Sequence, residues 1–206
     1  MYIFTITFCT KKFIIMRIKL IVLTFFICQQ GFSQFPKNTF LQSKEWSKSN
    51  ALYKGKFFVL HNIFTSTNNL LKFEIEALAA SNSGELTSLV YKCETQNKEG
   101  LVLGFFGDYW NEAGVIYTGY SFKNIPKDKA ILLLDKLVKY VNDNYKYLDA
   151  DRDNNNLYFK EDDMEFLFYN PIFNITKIRV LWNGFDAEWD ASALFKTQKR
   201  LLKKLN

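Results

Sequence analysis

Hydrophobic and polar positions change rhythm several times along the chain, and the rhythm predicts the elements. A two-residue period marks strands, and a recurrence at three and four marks helices. After a polar, mixed lead-in over residues 34–55, Lys56–Phe64 reads as a first apolar strand run. Leu71, Phe73, Ile75, Ala77 and Ala79 then alternate with Lys72, Glu74 and Glu76, as a half-buried strand does. Ser81-Asn82-Ser83-Gly84 supplies turn residues, and Glu85–Glu94 is the partner strand. Leu101–Phe106 and Val115–Phe122 follow, joined by the predicted loop Gly107–Gly114. Short connections of this kind favour an antiparallel meander.

The period then switches. Pro126 precedes a run in which Ala130, Leu133, Leu134, Leu137, Val138, Val141 and Tyr145 share one helical face, predicting a helix over about Lys127–Tyr147. Strand signals return at Leu157–Lys160 and Met164–Tyr169. Next comes Asn183-Gly184, the preferred pair for a two-residue type I′ turn. Folding there sets Trp182 opposite Phe185, Val180 opposite Ala187 and Ile178 opposite Trp189, all on one face, with Arg179 opposite Glu188 on the other. Asp190 stands at the start of a closing helix whose inner stripe is Leu194, Phe195, Leu201, Leu202 and Leu205. The expectation is an α+β single domain over residues 56–206. It has a mainly antiparallel sheet of about seven to nine strands, one long helix after the first strands and a C-terminal helix packed on the sheet. No internal sequence repeat is evident.

Upstream of this pattern stands a different kind of segment. Read from Met16, Arg17 and Lys19 form a basic start, Leu20–Cys28 a short apolar stretch, and Gly31 and Ser33 the small residues before a cut that leaves Gln34 first. Nine residues rise only about 13 Å as a helix, against a hydrocarbon core of roughly 30 Å, so a leader is expected and not a membrane span. Residues 1–15 form an upstream extension. The leader resembles those of Gram-negative exported proteins, which places the mature chain in the periplasm or outside the cell.

Removing it changes the charge. The chain has 27 Lys+Arg against 21 Asp+Glu; Lys11, Lys12, Arg17 and Lys19 precede the cut, leaving 23 against 21. A near-neutral domain lacks the electrostatic footprint of a nucleic-acid binder. Cys9 and Cys28 also precede the cut, so the remaining Cys93 forms no internal disulfide and reads as a buried strand residue.

His61 is the single histidine, which excludes sites built from several imidazoles. No phosphate-binding or dinucleotide-binding glycine motif is present. Two constellations remain. Asp149, Asp151, Asp153 and Asn155 occupy positions one, three, five and seven of a calcium loop, although position six is Asn154, position twelve is Lys160, and Glu161 comes one residue late. A solvated Asp/Asn turn accounts for the same residues. Asp108, Tyr109, Trp110 and Glu112 put aromatics beside carboxylates, a set suited to stacking on a sugar or gripping a protein partner, or equally to folding Tyr109 and Trp110 back over the end of the sheet. Asp186 and Glu188 also share a strand face. The reading that follows is an exported, non-enzymatic binding domain of inhibitor or immunity-like type with a protein or glycan partner in the envelope. The alternatives are a small carboxylate-dependent carbohydrate-active hydrolase, using Asp108 and Glu112, and a structural protein of the envelope.

Overall fold

The computed structural model describes residues 39–65, 68–110, 113–172 and 175–205, without the side chains of 39–43, 110 and 172. The expected leader therefore lies outside the described residues, as does Glu112.

The first element departs from the sequence expectation. In place of a polar lead-in and a strand at Lys56–Phe64, the chain forms one helix, α1 (Thr39–Asn62). The cause is that α1 is apolar on two opposite faces. Ala51, Gly55 and Val59 are buried, while Trp46, Tyr53, Phe57 and Leu60 face solvent. Apolar residues on both sides erase the three-and-four recurrence that identifies an amphipathic helix. Gly55 marks the line of closest approach to the sheet: a Cβ there would stand 2.5 Å from Leu89 Cδ1.

The strands form two meanders. The first comprises β1 (Glu74–Ala80), β2 (Leu86–Cys93), β3 (Lys98–Trp110) and β4 (Ile116–Pro126), each antiparallel to the next. β3 runs on to Trp110, so Asp108, Tyr109 and Trp110 are strand residues and not the loop expected at Gly107–Gly114. The helix α2 (Lys127–Ala150) follows directly from β4. The second meander comprises β5 (Leu157–Glu161), β6 (Met164–Ile172), β7 (Ile175–Trp182) and β8 (Phe185–Asp190), and α3 (Ala191–Leu205) closes it. Four strands and a helix thus occur twice, an architectural repetition with no trace in the sequence. The described residues form an α+β fold with eight antiparallel strands in one open sheet.

The meanders join along one edge of β3. β2 pairs with Lys98–Phe105, and β8 takes over farther along, with Tyr109 opposite Phe185. Side chains bind the seam. Glu85 Oε2 accepts the Glu188 N–H at 2.6 Å, Asp190 Oδ2 accepts the Asn82 N–H, and the Ser88 and Thr197 hydroxyls meet at 2.6 Å in the interior. Arg200 donates to the Leu78 carbonyl.

Both C-terminal helices lie on the front of the sheet. Leu133, Leu134 and Leu137 of α2 and Leu194, Leu201 and Leu205 of α3 pack on Phe105, Phe166, Phe168, Ile178, Val180 and Trp189. α1 covers the back of the first meander, where Val59 and Phe64 meet Leu89, Tyr91, Cys93 and Val102. Cys93 is buried there, as its alternation with Leu89 and Tyr91 predicts. The Asn183-Gly184 hairpin has the expected register at every pair, with Trp182 opposite Phe185, Val180 opposite Ala187, Ile178 opposite Trp189 and Arg179 opposite Glu188. Asn183 and Gly184 both have positive φ, +50° and +79°, as the turn requires.

Candidate binding face

The back of the second meander faces solvent. Cross-strand pairing lines up its outward side chains in two rows: Tyr158, Leu167, Arg179 and Glu188, and beside them Lys160, Glu165, Leu181 and Asp186. The strands alternate because the opposite side of each residue pair enters the front core. Tyr158 is 61% exposed and Leu181 is also exposed, while Leu167 and Tyr169 are half-buried between them.

Charges on this face are paired, and the pairing is mostly diagonal. Arg179 stands opposite Glu188 in register, yet its Nε donates to Asp186 Oδ1 at 2.7 Å and its Nη2 to the Asp186 carbonyl at 3.0 Å. Nη1 of the same guanidinium lies 3.8 Å from Glu85. Glu188 instead accepts from Lys177 at 2.7 Å and from the Tyr169 hydroxyl at 3.3 Å. The expected Arg179–Glu188 ion pair is thus replaced by two neighbouring ones, because long side chains reach diagonal partners as easily as direct ones. Lys160 and Glu165 pair at 3.0 Å.

These contacts set the ionisation states. Burial raises the Tyr169 phenol, and the Glu188 carboxylate adds to the effect. Burial disfavours the Lys177 cation, but the hydrogen bond and charge of Glu188, with Tyr169 and Asp190 beside it, together outweigh that and the net shift is upward. The hydrogen bond from Lys160 holds Glu165 below its ordinary value. The face therefore carries fixed, opposed charges around an aromatic and aliphatic centre.

The residues singled out in the sequence are distributed differently. Tyr109 turns inward and stacks on Phe185 and Tyr117, with ring centroids 5.0 and 5.7 Å apart. Asp108 points outward and accepts a hydrogen bond from the Thr118 hydroxyl. Strand alternation thus sends these neighbours to opposite faces, and the side chains of Trp110 and Glu112 lie outside the described residues. The five calcium-loop residues are engaged with other partners or apart. Asn154 donates to both Asp151 oxygens at 3.0 and 3.1 Å, Asn155 donates to the Tyr147 carbonyl at 2.7 Å, and Glu161 pairs with Lys136 at 2.7 Å. Asp149, at the end of α2, lies 3.9 Å from Arg152, and Asp153 sits in the exposed turn. Among the described residues, no three His, Cys, Asp or Glu side chains converge where a metal ion could sit.

His61 is an exposed residue of α1 whose Nδ1–H donates to the Phe57 carbonyl at 2.8 Å; the strand setting expected for it is replaced by a helix. A cleft of about 510 Å³ wraps the edge of β1 and contains Glu74 and Glu76. Those carboxylates are neighbours on one strand and do not face each other, and Glu76 is paired with Lys204. Asp186 and Glu188 are likewise side by side and each bound to a cation. An acid and a nucleophile on facing walls, as glycoside hydrolysis requires, is a different arrangement. Sequence reasoning passed over Tyr158, Leu167 and Leu181; their signal was an apolar residue at the polar phase of an alternating strand.

No family model matches this chain, and no curated protein or solved structure matches it. Among the described residues, no helix is long and apolar enough to cross a membrane.

Proposed function

We propose that this chain is an exported binding protein of inhibitor or immunity-like type, and that its partner is a protein seated on the back of β5–β8. One observation carries the reading: two meanders of like construction share a sheet, and the second leaves its back uncovered, with Tyr158, Leu167 and Leu181 set among paired charges. Tyr and Arg at the centre of a polar frame are the residue types that dominate protein–protein binding energies. The ion pairs already hold the long side chains in place, so less conformational entropy is lost on docking. Export rests on the leader read at Arg17–Ser33, and the exported product should have the mass of a chain beginning at Gln34.

The test is capture from envelope extracts. The wild-type protein should retain a discrete partner that a Tyr158→Ala/Leu181→Ser variant loses while its thermal unfolding is unchanged. A partner retained equally by both proteins would place recognition elsewhere.

A further inference from the structure

The outward face of α1 is a second surface with its own chemistry. Trp46 is 59% exposed, Tyr53 62% and Phe57 49%, and Leu60 is also exposed. Together with Asn50 they recur at intervals of four, three, four and three, so they form one stripe along the helix, directly opposite the face buried on β2. From Trp46 to Leu60 the stripe is about 21 Å long at the helical rise. Tyr53 and Phe57 contact each other edge to face, with centroids 5.3 Å apart. Solvent-facing aromatics in such a row oppose stability in water, so they imply something that covers them.

Charge identifies what covers them. α1 contains Lys44, Lys48, Lys54 and Lys56 against a single acid, Glu45, which is paired with Lys48. Lys54, whose Nζ lies 5.1 Å over the Tyr120 ring, and His61 border one side of the stripe and Lys56 the other, and all three are exposed. A second copy packed helix against helix would bring these cations together with only Glu45, already paired with Lys48, to meet them. An anionic bilayer surface meets both demands. Trp and Tyr rings take the headgroup level, Phe57 and Leu60 reach the acyl boundary, and lysines flanking the stripe extend to lipid phosphates.

We infer that α1 docks this protein on the surface of an anionic membrane through Trp46, Tyr53, Phe57 and Leu60, with Lys54 and Lys56 against the lipid phosphates. The helix lies in the interface and does not span it, because its opposite face is occupied by the sheet. Docked in this way, α1 is sandwiched between bilayer and sheet, which explains why it is apolar on two sides.

Quenching of tryptophan emission by lipids brominated on their acyl chains tests this on the full chain. Wild type is compared with Trp46→Phe, so that the difference reports Trp46 alone whatever the amino-terminal segment does. With vesicles of phosphatidylcholine containing phosphatidylglycerol, the Trp46 contribution should be quenched, and more weakly with phosphatidylcholine alone. Lys54→Gln and Lys56→Gln should each raise the lipid concentration for half-maximal quenching by about five-fold. Trp46 emission that stays open to aqueous acrylamide and untouched by brominated lipid would overturn the inference. Shielding of Trp46 without lipid, together with a doubled mass in sedimentation, would overturn it in favour of a second copy.

Discussion

The two meanders differ in what their backs carry, and the difference shows how coverage is encoded. In the first, β2 is buried almost throughout, with Leu89, Tyr91 and Cys93 facing α1 and Leu86 and Val90 in the front core. In the second, β8 reads Phe-Asp-Ala-Glu-Trp-Asp and buries Phe185, Ala187 and Trp189 on the front while Asp186 and Glu188 turn outward. A strand apolar on both phases needs a layer on each side, and a strand apolar on one phase needs a single layer. The first meander is therefore the middle of three layers, and the second is half of two.

The sharpest way to break this comparison is at the core both halves share. Trp189→Ala removes a fully buried side chain from the front and should cost about 3–5 kcal/mol, seen as a lower denaturant midpoint for the whole molecule. Separate unfolding of the two meanders in that variant would show that the seam at β3 and β8 does not make them one cooperative unit. On the covered back, Gly55→Ala should cost about 1–3 kcal/mol, since the new methyl must displace the buried tip of Leu89. That exceeds the gain of up to about 1 kcal/mol from replacing a helical glycine. A stabilised variant would mean that α1 stands farther from the sheet than described.

On the open back, effects are smaller. Glu188→Ala should cost roughly 1–2 kcal/mol, because Lys177 and Tyr169, both partly shielded, lose their partner. Exchanging Tyr158 for Ala should stay within about 0.5 kcal/mol, because the ring is mostly in solvent. A large loss there would reveal a structural role for this face.

The smallest effect lies at Asp163, whose carboxyl is held below its ordinary value by the hydrogen bond from Lys123, aided by the Trp182 indole. A carboxyl with a depressed folded value contributes stability at neutral pH that is lost as pH falls through that value. Asp163→Asn should therefore flatten the decline of stability below about pH 4, by a modest amount because the group is half-exposed. A decline as steep as that of wild type would assign the acid sensitivity to other carboxyls.

Much of this was legible locally. The hairpin from Ile178 to Trp189 carries its register in Asn183-Gly184 and in strict alternation, so neighbours in sequence settle it. The helix after Pro126, the closing helix and the order of strands and helices from β1 onward follow from the same short-range periodicity. What required the tertiary structure was every feature that depends on residues far apart. α1 resembles a strand run until a sheet and solvent stand on its two sides. Glu85 finds Glu188 across 103 residues, and Arg179 chooses Asp186 and Glu85 over its register partner. Periodicity reports which side of an element is apolar; it carries no record of what lies against that side. Coverage, the seam and the charge partners are set by distance in space, and the folded chain alone decides them.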